Sequence, residues 1–135
     1  MVNMYILQGR HNTGKTETLV DVIEILKNKY PEAKVNIIID GKDKKVIFTN
    51  IKGLTVGIET QGDPNSRIDA SLKDFKAMHC DVIFCACRTK GKTVTTVNSY
   101  GTIYNLHFIK QTVVAAGFSA SNMATAKSLV KRAGL

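Results

Sequence analysis

Residues 9–16 read GRHNTGKT, a Gly-x-x-x-x-Gly-Lys-Thr sequence set between two segments of different periodicity. Before it, residues 4–8 (MYILQ) form a short apolar run that stops at Gly9, as a buried strand does. After it, residues 15–30 have helical spacing. Leu19, Val22, Ile23, Leu26 and Tyr30 fall on one face, with Glu17, Asp21, Glu24 and Asn28 on the other. Pro31 ends that helix. A strand, a short glycine loop and a helix in immediate succession constrain the fold more than any other feature of the chain.

The rest of the chain continues the alternation. Residues 35–39 (VNIII) read as a second strand, and residues 40–43 (DGKD) as a turn signal. Val46, Ile47 and Phe48 then make an antiparallel hairpin with the second strand, and a further strand runs over residues 54–60. A helix over residues 67–78 places Ile68, Leu72, Phe75 and Met78 on one side. Residues 81–87 (DVIFCAC) are apolar almost throughout, which suits a central strand buried on both faces. A short helix is expected near residues 93–100 and a strand over residues 104–110. A last helix spans residues 121–133, with Ser119 or Ser121 as its cap and Gly134 at its end. Strands alternating with helices predict a three-layer α/β/α fold around a mainly parallel sheet, with one antiparallel hairpin.

The length, 135 residues, suits a single domain over residues 1–135. Hydrophobic residues make up 44% and charged residues 22%, which argues against a disordered chain. No apolar run approaches the ~20 residues of a membrane helix. The first residues, MVNMYILQGR, do not resemble a signal peptide, so a cytoplasmic protein with no membrane partner is expected. Cys80, Cys85 and Cys87 are odd in number and lack paired spacing, a poor disulfide framework, and core packing is their expected role. The net charge of +8 points to anionic partners, either phosphates or nucleic acid.

The glycine loop carries the chemistry. Gly9 and Gly14 let the backbone bend and bring its N–H groups close to phosphate oxygens. The N-terminus of the next helix adds the positive end of its dipole. Lys15 places an ammonium beside the β- and γ-phosphates, and the Thr16 hydroxyl is a ligand for Mg²⁺. The expected nucleotide-contacting residues are Gly9, Asn12, Thr13, Gly14, Lys15, Thr16 and Glu17. A second acidic contributor is expected at another strand end. Glu59 ends an apolar strand and is expected to hold Mg²⁺ or polarise the attacking water. Asp63 competes for either role, and Asp40, at the end of the second strand, is a third candidate. Arg88 follows the most apolar strand and is expected to face the phosphates, ahead of Lys90 and Lys92.

Residues 9–16 resemble the phosphate loop of the P-loop nucleoside triphosphate hydrolase superfamily. The likeness in strand and helix order extends over most of the chain. The pairing of GIETQGDPNSR with CDVIFCACRTKGKT looks like small uncharacterised bacterial P-loop proteins usually labelled ATPases. This resemblance implies a Mg²⁺-dependent ATPase with ATP as the bound nucleotide. Ras-type GTPases carry Asp-x-x-Gly where this chain reads Glu59-Thr60-Gln61-Gly62. Their guanine motif ends in Asp where this chain reads Thr89-Lys90-Gly91-Lys92. Both departures argue against GTP.

Two other readings follow. A small-molecule or nucleotide kinase would transfer the γ-phosphate, with Asp40 holding an acceptor hydroxyl. A nucleotide-gated module would bind ATP and a nucleic acid or protein partner, a reading the charge of +8 favours. The segment formed by Phe118, Ser119, Ala120, Ser121 and Asn122 is expected to be a loop holding the base.

Overall fold

The structure is a computed structural model that describes residues 2–10, 13–62, 67–114 and 116–135. Its strands are β1 (Asn3–Gln8), β2 (Lys34–Asp40), β3 (Lys44–Ile51), β4 (Leu54–Glu59), β5 (Val82–Cys87) and β6 (Asn105–Lys110). Its helices are α1 (Lys15–Lys29), α2 (Ile68–Ala77), α3 (Lys92–Asn98) and α4 (Phe118–Arg132), with a 3₁₀ turn at Ser99–Thr102. The strands form one mixed sheet in the order β2-β3-β4-β5-β1-β6. The β4–β5, β5–β1 and β1–β6 pairings are parallel, whereas β2–β3 and β3–β4 are antiparallel. The expected hairpin therefore forms, and it extends into a three-strand meander that makes up half of the sheet.

Burial follows the sequence patterns. Every residue of β5 is buried, because the strand lies inside the sheet with helices over both faces. Leu19, Val22, Ile23 and Leu26 of α1 pack with Ala126, Leu129 and Val130 of α4 on Tyr5, Leu7, Phe48, Ile58 and Phe84. On the opposite face, Ile68, Leu72 and Phe75 of α2 and Val97 of α3 cover Met4, Ile6, Ile47, Ile83 and Cys85. Each buried aliphatic or aromatic side chain here contributes roughly 1.5–3 kcal/mol, whereas the edge strands β2 and β6 leave Ile37, Ile38 and Phe108 exposed.

One helix starts earlier than the sequence predicts. α4 begins at Phe118, straight after Gly117 in the left-handed region (φ 74°), and no side chain caps it. Backbone conformation at Gly117 sets this start, so the serine caps are unused and residues 118–122 are helical instead of a loop. The three cysteines are free and buried. Burial pushes the Cys80 thiol up to about 12, that of Cys87 to about 11 and that of Cys85 well above its usual value. They are packed, protonated thiols. No helix among the described residues is long and apolar enough to cross a membrane.

Candidate functional site

The carboxyl end of β1 delivers the chain into the glycine loop, and the loop is held from both sides. Gly9 N–H donates to the Cys87 carbonyl of β5 at 3.2 Å. Thr13 Oγ1 donates to the Arg10 carbonyl at 2.8 Å. Gly14 lies in the left-handed region (φ 90°), and a Cβ there would stand 2.9 Å from Asn122 Oδ1. Glycine is required at this position for both conformation and space. α1 starts at the next residue, so its first N–H groups open towards the loop.

Lys15 is buried, and its ammonium donates to the carbonyls of Gly9 and Arg10, each at 2.7 Å. The side chain is thus held across the loop. Thr16 Oγ1 donates to Asp43 Oδ1 at 3.0 Å. Asp43 sits in the turn between β2 and β3 and also accepts from Thr60 Oγ1 at 3.2 Å. Thr60 Oγ1 in turn accepts from the Lys44 N–H at 2.8 Å. Among the described residues Asp43 has no ion-pair partner. These groups line one cleft of about 830 Å³. Thr13, Gly14, Lys15, Thr16 and Glu17 line it together with Lys42 and Asp43 from the β2–β3 turn and the apolar Val113, Phe118 and Met123.

Glu59 has a different arrangement from the one expected of it. It is 0% exposed and does not line the cleft. Oε1 accepts from Arg67 Nε at 2.7 Å and Ser71 Oγ at 2.6 Å. Oε2 accepts from Arg67 Nη2 at 3.0 Å and from the Gln61 N–H at 3.1 Å. Both oxygens are spent on the protein, so the metal and water roles expected of Glu59 would require breaking this buried pair. Its place is that of an anchor, fastening the end of β4 to the start of α2.

The other expected residues divide as follows. Asn12 and Asp63 lie outside the described residues. Asp40 is exposed and paired with Lys44, which holds its carboxyl below the usual range, and it does not line the cleft. Arg88 directly follows β5 beside the loop, where its backbone N–H donates to Thr93 Oγ1 at 3.0 Å. Neither Arg88 nor Lys90 lines the cleft, and the same holds for Lys92.

Two positions went unrecognised in the sequence. Asp43 was visible only as part of a turn. Gln111, the first residue after β6, is buried and donates through Nε2 to the Thr13 carbonyl and to Asn122 Oδ1, each at 3.0 Å. Its Oε1 accepts from Thr18 Oγ1 at 3.3 Å. One amide therefore ties the loop, α1 and α4 together. The signal for it was a polar residue placed directly after a strand of alternating polar and apolar residues that pairs with β1.

The residues present fit a magnesium-bound polyphosphate. Mg²⁺ prefers oxygen ligands and takes only one or two from side chains, the others coming from water and phosphates. A threonine hydroxyl 3.0 Å from a carboxylate supplies that kind of partial set. Among the described residues there is no cluster of three or more His, Cys, Asp or Glu side chains. No family model, curated protein or solved structure matches this chain.

Proposed function

We propose that the chain is a P-loop protein that binds Mg-ATP in this cleft and hydrolyses it. The observation that carries the proposal is the Thr16–Asp43 contact at the first turn of α1, directly beside the loop that holds Lys15. The loop N–H groups and the helix N-terminus would hold the phosphates, with Lys15 turning from its own loop carbonyls to the β- and γ-oxygens. Thr16 and Asp43 would hold Mg²⁺, which when bound neutralises charge on the transferring phosphoryl group. Asp43 takes the acidic role that the sequence suggested for Glu59, because it lines the cleft and no cation pairs it among the described residues. Val113, Phe118 and Met123 offer an apolar lining for the base.

Hydrolysis is preferred to transfer, because Asp40, the residue that would hold an acceptor, is paired with Lys44 outside the cleft. Titration of wild type and Lys15→Ala with Mg-ATP tests binding. Losing one charge-assisted contact should cost about ten- to a hundredfold in affinity. Equal affinities would remove the assignment. Release of inorganic phosphate under the same conditions tests turnover.

A further inference from the structure

α1 and α4 lie side by side on one face of the sheet, and both run away from the glycine loop. Their last turns meet at the opposite end of the molecule. α1 has 15 residues, which puts that end about 22 Å from the loop.

Cations gather at this end. Lys29, Lys127 and Lys131 rim a groove of about 360 Å³ floored by Ile25, Val130 and Leu135. Lys52, in the turn between β3 and β4, reaches the same place and donates to the Gly134 carbonyl at 3.1 Å. Arg132 is exposed beside them. α4 contains no acidic residue along its whole length. Among the described residues, no carboxylate pairs with Lys127, Lys131 or Arg132. Within α1 the acidic residue nearest its end, Glu24, is taken by Lys27, and Glu32 lies exposed three residues beyond the helix.

Cations in the last turn of a helix compensate its dipole, which accounts for Lys29, Lys131 and Arg132. It does not account for Lys127, which lies farther back on α4; Lys52, on no helix, is accounted for by its bond to the Gly134 carbonyl just past that helix. We propose that this end of the α1/α4 layer is a binding surface for the sugar–phosphate backbone of a nucleic-acid duplex. Among the described residues the large exposed apolar side chains are Ile37, Ile38, Met78, Ile103, Phe108, Val113 and Phe118. None belongs to the last turns of α1 or α4, or to the turn carrying Lys52. The surface therefore lacks an aromatic plate for stacking unpaired bases and an apolar wedge for entering a bilayer. Around the apolar floor, Lys29 and Lys52 donate to the Leu135 and Gly134 carbonyls, while Lys127, Lys131 and Arg132 present charged heads suited to sequence-independent phosphate contact.

The test is fluorescence anisotropy with a labelled DNA duplex of about 20 base pairs over a salt series from about 50 to 200 mM. Wild type should bind, with log K falling linearly against log salt. The triple variant Lys127→Ala/Lys131→Ala/Arg132→Ala should lose at least about tenfold, and its salt slope should flatten by about 2 to 3. Lys127→Glu alone should act in the same direction without touching the end of the helix. Lys90→Ala/Lys92→Ala, at the other end of the molecule, should retain wild-type binding. ATP titration of the triple variant should match wild type, so this surface stands or falls apart from the nucleotide reading. The proposal is overturned by an unchanged triple variant, by an equal loss in the Lys90/Lys92 variant, or by wild type failing to bind. It is overturned as well if poly-glutamate or anionic vesicles compete as strongly as the duplex.

Discussion

Thr16 Oγ1 donates to Asp43 Oδ1 across 3.0 Å, joining the first turn of α1 to the hairpin between β2 and β3. The contact brings together residues 27 positions apart. It depends on the antiparallel register that pairs Asp40 with Lys44 in β2–β3 and Lys45 with Glu59 in β3–β4.

Asp43→Ala is expected to weaken Mg-ATP binding by about ten- to a hundredfold, since a contact to a charged group contributes roughly 1.5–3 kcal/mol. Metal-free ATP should bind no more weakly, because a negative charge near the phosphates has been removed. Calorimetric titrations with Mg²⁺ and with a chelator make the comparison. Equal losses in both conditions would take the metal role away from Asp43.

Glu59 and Arg67 should respond unequally to truncation. Arg67 is 25% exposed, whereas Glu59 is fully buried. Arg67→Ala leaves a buried carboxylate without its cation and should cost about 3–5 kcal/mol in urea unfolding. Glu59→Gln leaves a guanidinium that can reach water, and an amide oxygen that still accepts from Ser71, so about 1–3 kcal/mol is expected. If Glu59→Gln abolished turnover while keeping stability and Mg-ATP affinity, the anchor role would give way to a catalytic one.

These two sites show where sequence reading succeeds and where it stops. The α1 face, the fully apolar β5 and the β2–β3 hairpin were legible because short-range periodicity and turn chemistry encode them. The strand–glycine loop–helix succession from β1 to α1 was legible for the same reason, since residues 9–16 are one unbroken stretch. Asp43 was hidden because nothing local marks its approach to Thr16; two strand pairings create it. Glu59 was placed correctly at a strand end, but its partner Arg67 read as an ordinary residue at the start of a helix. Burial and pairing turned an expected metal ligand into an anchor. Gln111 joins three elements distant in sequence, and only the fold brings them together.

Gly62 should tolerate no side chain. It follows β4 and is buried, and a Cβ there would stand 2.6 Å from both the carbonyl carbon and oxygen of Ala86 in β5. The obstacle is backbone of a central strand, which cannot swing aside as a side chain would. Gly62→Ala should cost about 1–3 kcal/mol, the usual range for overpacking. Gly41→Ala is the comparison, because its nearest contact would be the Asp43 carbonyl oxygen at 3.7 Å. Thermal melts should show a clear drop for Gly62→Ala and little change for Gly41→Ala. Similar melting of both variants would mean that β4 and β5 separate more readily at this point than the packing implies.

The cysteines predict a stability that falls in alkali. Burial raises the Cys80 thiol to about 12 and the Cys87 thiol to about 11, and Cys85 lies well above its usual value. In the unfolded chain these thiols ionise near 8.5. A group whose folded pKa is raised contributes stability that is fully present below the unfolded value and lost as pH rises through the folded one. The cysteine contribution should therefore hold below about pH 8.5 and decline steadily towards pH 11 to 12. Reactivity should follow the same rule, because the thiolate is the nucleophile. At about pH 8, Ellman's reagent should modify the native protein very slowly and all three thiols rapidly once urea unfolds it. Replacing Cys80 and Cys87 by Ala removes two titrating groups at the cost of small cavities. That variant should be less stable near neutral pH but should lose less stability between about pH 9 and pH 11. Urea midpoints across that range decide the matter: parallel declines in wild type and variant would place the alkaline sensitivity on the lysines and tyrosines instead.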